Sequence, residues 1–321
     1  MKEYSPRFKQ VVSTGALLAA AIIWGLCFVA QRTSMEHIGP FLFNGIRSYL
    51  GAGTISVILL VSWLIRRRSG STMDAQEPRE QPQVDTRYLL TAGLVCGLAL
   101  FAACNAQQIG LVYVSASKTA FITTLYIVLV PLLGLFLKQR SRWNTWVSVG
   151  IAVLGLYLLC ISDSLVLERG DAVVLFGALF WALHILVVGH YAPRLTLVQL
   201  FGLCAIQFVV VGTLSFAIAP CADHLIVPVE VSIEMIGNAA PELLYAGILS
   251  TAVAYVLVAI GQRNVKPTQT ALILSTESVF ALLGGVILLG ETLTQREAVG
   301  CLLLLSAVIL TQLDFAEMHK R

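Results

Sequence analysis

Residues 267–289 read PTQTALILSTESVFALLGGVILL, 23 residues with one charge, Glu277. A run of about 20 predominantly apolar residues is what one helical crossing of a bilayer requires. The run shows no apolar–polar alternation, so a strand of a membrane barrel is excluded. Glu277 lies ten residues past Pro267, which is ~15 Å along a helix and near mid-depth. The rest of the chain repeats the pattern. Of 321 residues, 57% are hydrophobic and 12% charged, about half the charged share of a typical globular domain, roughly 25%. Mean hydropathy is +0.83. Such a composition excludes a cytosolic enzyme, a secreted domain and a disordered chain.

Apolar runs separated by charges or turn residues fall near 12–31, 40–64, 88–110, 117–137, 144–162, 171–190, 195–219, 241–262, 267–289 and 296–314. The fold class expected is an all-α polytopic membrane protein of ten transmembrane helices, with 65–87 and 220–240 as the longest loops. The first run follows Lys2, Arg7 and Lys9; it is too long for a cleaved signal and reads as a retained helix. Counting Lys and Arg by side puts sixteen with the N-terminus and four opposite, with Arg47 inside a span. The excess of positive charge marks the cytoplasmic side, so both termini are expected in the cytoplasm. The setting expected is the cell membrane, with the lipid bilayer as partner. A net charge of +3 gives no reason to expect a nucleic-acid partner. The seven cysteines show no CxxC or Cys/His ligand spacing, and no metal or other cofactor is expected.

The two halves echo each other. Ile23-Trp24-Gly25 matches Phe180-Trp181-Ala182 at an offset of 157, Val114–Ala120 matches Val265–Ala271 at 151, and Gly150 matches Gly300 at 150. The constant order predicts a duplication, 11–162 and 170–314, each of five spans. An odd number of spans forces the second copy to enter upside down. Inverted repeats of this kind are a mark of secondary transporters, which expose one central site alternately to each side.

These residues resemble a known family. Thr270-Ala271, Glu277-Ser-Val-Phe280, Gly290-Glu291-Thr-Leu-Thr294 and Gly300, with Trp24-Gly25-x-x-Phe28 and Thr119-Ala-Phe121…Val130-Pro131, are similar to the EamA pattern of the drug/metabolite transporter superfamily. The resemblance implies two inverted five-helix EamA repeats and movement of small metabolites, often amino-acid export. Ser278 stands where that family usually has Pro, so the helix is expected to be straighter here. Pro131 is expected to kink the fourth span, and Glu291 to tie the turn 290–296.

Glu277 is the one carboxylate deep in a span and Arg47 the one deep cation. A charge at such depth is costly unless paired or facing water. Two readings stand: Glu277 lines a cavity and binds a substrate cation or a coupling proton, or it is fixed by Arg47 or another neighbour. His184 in the sixth span is a proton relay or a group bonded to a neighbour. Asn105, Gln107 and Gln108 in the third span bind substrate or join helices. Trp24, Tyr126, Trp181 and Tyr255 lie inside spans, away from the interfaces that Trp and Tyr favour; they line a shared cavity or simply pack. Trp63, Trp143 and Trp146 sit at span ends as interface anchors.

The function expected is a secondary active transporter exporting a small polar metabolite, such as an amino acid, by alternating access with protons as coupling ion. The alternative is a flippase of a lipid-linked small group. No nucleotide-binding motif is present, which excludes direct ATP hydrolysis. No metal-ligand or nucleophile constellation suggests an enzyme, and no charged ring or filter suggests a channel.

Overall fold

A computed structural model describes residues 6–69, 84–114, 116–138, 142–161, 169–227, 232–289 and 293–312. Among them there is no strand. Helices α1 (Pro6–Ser34), α2 (Pro40–Ser69), α3 (Thr86–Tyr113), α4 (Ala116–Thr124), α5 (Tyr126–Phe136), α6 (Trp143–Cys160) and α7 (Arg169–Tyr191) fill the first part of the chain. They are followed by α8 (Leu197–Ile226), α9 (Ile233–Asn238), α10 (Ala240–Leu244), a π-helical segment (Tyr245–Val253), α11 (Ala254–Gly261), α12 (Pro267–Leu274), α13 (Glu277–Leu289) and α14 (Gln295–Gln312).

Among the described residues, eight stretches are long and apolar enough to cross a membrane: Phe8–Ser34, Pro40–Ile65, Thr86–Tyr113, Lys118–Phe136, Trp143–Cys160, Gly170–Arg194, Leu197–Ile226 and Ala240–Gly261. They lie where the first eight apolar runs fall. The ninth run differs. It is divided at Ser275–Thr276 into α12 and α13, of 8 and 13 residues. Here Thr276 N–H bonds Ile273 O and Ser278 N–H bonds Ser275 O, three residues back instead of four. The Ser275 and Thr276 hydroxyls donate to the Leu272 and Ile273 carbonyls at 2.7 Å, so the loosened turn keeps its polar groups satisfied. Ser278 therefore does not straighten this helix. α4 and α5 are likewise separated at Leu125, where Leu125 N–H bonds Ile122 O. The interruption precedes Pro131, which lies inside α5. The tenth run, α14, is 18 residues long and opens with Gln295, Arg296 and Glu297.

Both long loops are shorter than expected: α2 runs on to Ser69. α8 continues through Pro220 to Ile226, and α9 occupies part of the stretch read as a loop. Residues 70–83 and Gly290–Thr292, with the Glu291 tie, lie outside the described residues. The described side of that turn is held by Glu297, whose carboxylate accepts from Thr294 N–H and Oγ1 at 2.8 and 2.7 Å.

The broadest packing joins α6 to α14, α2 to α8, α3 to α7 and α8, and α1 to α11 and α13. α6 and α14 meet backbone to backbone: a Cβ on Gly155 would sit 2.8 Å from Gly300 O, and one on Gly300 2.7 Å from Gly155 O. Small residues permit this approach where lipid offers no hydrophobic drive to associate. α2 and α8 are joined at their ends. The first helical N–H groups of α2 have no partner within the helix. Phe41 N–H and Leu42 N–H donate instead to the two carboxylate oxygens of Asp223, at 2.9 and 2.8 Å.

Asp223→Ala removes both acceptors of a helix terminus. With charged hydrogen bonds worth about 1.5–3 kcal/mol each, the variant is expected to lose several degrees of thermal stability in detergent. Asp223→Asn, which keeps one acceptor, is expected to fall between.

Candidate functional site

A cavity opens among α1, α2, α3, α4, α5, α7, the π segment, α11, α12 and α13. α1 presents Trp24, Phe28 and Gln31 to it, residues at i, i+4 and i+7 on one helix face. α7 adds Trp181, His184 and Ile185 by the same rule. Gly25 brings α1 against the start of α13: a Cβ there would sit 2.5 Å from Glu277 O. The Trp24-Gly25 pair thus sets a ring into the cavity beside the backbone of the acidic residue.

Trp24 and Trp181, separated by the repeat offset, meet with ring centroids 6.1 Å apart. Tyr255 lies edge-on to Trp24 at 5.0 Å and stacks near Trp181 at 6.4 Å. Each indole N–H has a partner, as buried rings require. Trp24 Nε1 donates to the Ser250 carbonyl at 2.9 Å. The π segment presents that carbonyl in its wider turn, which Ala254 N–H closes on Leu249 O. Trp181 Nε1 donates to Gln107 Oε1 at 2.8 Å, and Gln107 Nε2 to Gln31 Oε1 at 3.3 Å. His184 Nε2 is 3.0 Å from Gln207 Oε1, and its ring faces Tyr255 edge-on at 5.9 Å.

Both deep charges line this cavity. Glu277, 5% exposed, opens α13 and accepts from Tyr126 Oη at 3.3 Å. Tyr126 opens α5 at the position equivalent to Glu277 under the 151 offset, so the two interrupted helices meet through this bond. Arg47, 6% exposed, lies 5.7 Å over the Phe43 ring, and its Nη2 is 3.8 Å from Cys104 Sγ. Cys104 Sγ is also 3.7 Å from Tyr255 Oη. Lys118 and Asp171 form a salt bridge at 2.8 Å. Arg47 and Glu277 share a cavity without an ion pair between them.

Trp24, Arg47, Tyr126, Trp181, His184, Tyr255 and Glu277 therefore converge. Asn105 and Gln108 do not line the cavity. Asn105 bonds Asn44, Ser215 and the Phe101 carbonyl, joining α2, α3 and α8, and Gln108 bonds the Gln31 carbonyl at 3.1 Å. Gln107 faces inward in their place. Sequence reading passed over Gln31, Thr123 and Ser250. Gln31 was accessible from its spacing to Trp24, and Thr123 from its spacing to Tyr126. Ser250 contributes a backbone carbonyl, for which no side-chain pattern exists. No group of three metal-ligating side chains occurs among the described residues.

The model of the EamA-like transporter family matches residues 14–161 and again 168–313. An uncharacterized transporter of Archaeoglobus fulgidus is 28% identical over 306 residues, covering 95% of this chain and 87% of its own. An uncharacterized inner membrane transporter of Escherichia coli (strain K12) is 27% identical, with 96% and 93% covered. A protein of Salmonella typhimurium named "Probable amino-acid metabolite efflux pump" is 23% identical, with 93% and 94% covered. A solved crystal structure aligns with a TM-score of 0.71 at 15% identity, covering 94% of this chain and 98% of the other; it has the same fold.

Gln107→Leu leaves the Trp181 indole N–H buried without its acceptor, at a cost of roughly 1–3 kcal/mol. The variant is expected to melt earlier in detergent and to shift the tryptophan emission. Gln108→Leu, which leaves the indole bonded, is expected to leave the emission unchanged.

Proposed function

The chain belongs to the EamA-like transporter family and is a multi-pass protein of the cell membrane; from that premise we propose that it is a secondary active exporter of small zwitterionic metabolites such as amino acids, driven by protons. The observation that carries this reading is the presence of Arg47 and Glu277 in one cavity without an ion pair between them. A buried charge without an opposite partner is strongly unfavourable. A substrate bearing both a carboxylate and an ammonium group supplies a partner for each. The Arg47 guanidinium offers two parallel donors to a carboxylate. Glu277 accepts the ammonium group. Trp24, Trp181 and Tyr255 surround the remaining substrate with ring faces, which also favour a cation.

Glu277 also supplies the coupling. A single carboxylate cannot hold a proton and an ammonium group together. Substrate binding therefore releases the proton, and protonation releases the substrate. That competition exchanges one for the other across the membrane, provided the site opens to one side at a time. His184 stays a neighbour of Tyr255 in this scheme, orienting the ring through its bond to Gln207. Alternating access follows from two inverted repeats, 11–162 and 170–314, whose helices α4/α5 and α12/α13 break beside the site. Broken helices of this kind commonly line transporter sites. The charge distribution along the loops supports ten crossings with both termini in the cytoplasm. The efflux assignment of the Salmonella relative supports the substrate class.

The test is efflux from proteoliposomes loaded with a radiolabelled amino-acid mixture, with and without a pH gradient. Wild-type protein is expected to show gradient-dependent loss of a subset. Glu277→Gln is expected to stop gradient-driven efflux while remaining monodisperse in detergent; undiminished efflux by that variant overturns the coupling role. Arg47→Gln is expected to weaken apparent affinity about tenfold or more for amino acids and to leave the weaker binding of their decarboxylated amines unchanged. No loss of any amino acid from folded wild-type protein points instead to a lipid-linked small group.

A further inference from the structure

Two hydroxyl groups lead away from the Tyr126–Glu277 bond and have no part in the scheme above. Thr119 and Thr123 are 0% and 3% exposed, and neither Oγ1 has a hydrogen-bond partner. A helical threonine commonly returns its hydroxyl to the carbonyl four residues back, as Thr124 does to Ala120 at 2.7 Å. Thr119 and Thr123 do not. They stand four residues apart on α4 and share one face, and Tyr126 opens α5 three residues later, just past the interrupted turn at Leu125. Thr123 and Tyr126 both face the cavity. The series begins beside the Lys118–Asp171 ion pair, which joins the start of α4 to the first turn of α7.

Four residues of helix rise about 6 Å. That is too far for one hydroxyl to reach the next, and close to the span of one water making two O–H···O bonds of ~2.8 Å. Buried polar groups without a protein partner are where ordered water is found. The repeat-related series is Thr270 and Leu274 on α12, followed by Glu277 at the start of α13. Thr270 Oγ1 is also buried without a partner. Leu274, however, lines the cavity at the position equivalent to Thr123. The hydroxyl series is thus continuous on the α4 side and interrupted by a hydrocarbon side chain on the α12 side.

Resting on the reading of Glu277 as the coupling carboxylate, we infer that Thr119, Thr123 and Tyr126, bridged by water, form a one-sided proton path to Glu277 from the end of the bundle where α4 begins. Under the orientation proposed above this is the outer face. Each hydroxyl or water accepts a proton on one side and gives up another on the opposite side. The last O–H bond forms on Glu277 Oε1, which turns from carboxylate to acid. No electrons are transferred and no other bond changes. The titratable groups facing Glu277 are Tyr126 on α5, Arg47 on α2, His184 on α7 and Tyr255 on α11, with Cys27 on α1 and Cys160 on α6 within its field. Of these only Tyr126 belongs to the series.

Thr119→Val tests the path without touching the cavity, since Thr119 is not among its lining residues. Full-length protein in proteoliposomes is assayed with the radiolabelled amino-acid mixture in two modes: exchange at equal pH on both sides, and efflux driven by an imposed pH gradient. Thr119→Val is expected to lose gradient-driven efflux about tenfold, a barrier rise of about 1.4 kcal/mol, with exchange unchanged. Thr119→Ser is expected to restore it, and Thr124→Val to affect neither mode. Leu274→Thr, which extends the series past the cavity, is expected to dissipate a pH gradient without substrate, followed with a trapped pH dye. Wild-type gradient-driven efflux retained in full by Thr119→Val overturns the path alone. Equal loss of both modes in that variant also overturns it, by assigning Thr119 a structural role. Wild-type exchange that no pH gradient drives overturns the coupling role of Glu277 and the path together.

Discussion

Backbone hydrogen bonding in a hydrocarbon surrounding is the constraint on which this structure depends. Away from water, every N–H and C=O must find a partner within the protein. Long continuous helices meet that demand, and most of the described chain is helix of this kind. Departures from α-helix are therefore confined to places where other groups complete the bonding. Three of them border the cavity: the tightened turn at Leu125, the one at Ser275–Thr276, and the π segment 245–253. At the second, serine and threonine hydroxyls take up the loosened carbonyls. At the third, an indole N–H bonds the Ser250 carbonyl. The site exists because the backbone is irregular where side chains and a cavity allow it.

The same irregularities mark the limit of what the sequence discloses. Apolar run length locates the first eight membrane crossings, since that pattern is set by bilayer thickness alone. Glu277 and Arg47 stand out for a similar reason: a charge at mid-depth is costly unless it is paired or faces water. Their convergence with the aromatic residues could be suspected from the repeat offset, which pairs Trp24 with Trp181 and Tyr126 with Glu277. The interruption of α12 and α13 was not legible, because Ser275 and Thr276 occur in unbroken helices too, and only the tertiary surroundings decide which bonds they take. Helix rotation was also hidden. A shift of one residue separates Gln107, which holds Trp181, from Gln108, which joins α3 to the backbone of α1.

Repeat symmetry in the backbone coexists with divergence in the ionisable groups. Under the same offsets Arg47 corresponds to Cys204, His184 to Cys27 and Glu277 to Tyr126. Each half of the chain thus supplies one charge to the shared cavity, and neither charge is duplicated. A symmetric pair of like charges would repel in so small a volume. Divergence at these positions leaves the cavity lined by one basic and one acidic residue, while the helices around it keep equivalent partners.

The packing of α6 on α14, α2 on α8 and α1 on α11 and α13 has a bearing on biogenesis. Each of these pairs joins an early helix to a late one, across far more than a hundred residues of chain. Such contacts are non-local in the sense that slows assembly. While the ribosome is still making the second half, the inserted helices of the first lack the surfaces on which they will finally rest, and Gly155 waits for Gly300. Insertion and packing are then separate events, and the nascent first half is the state a membrane chaperone or a quality-control protease meets.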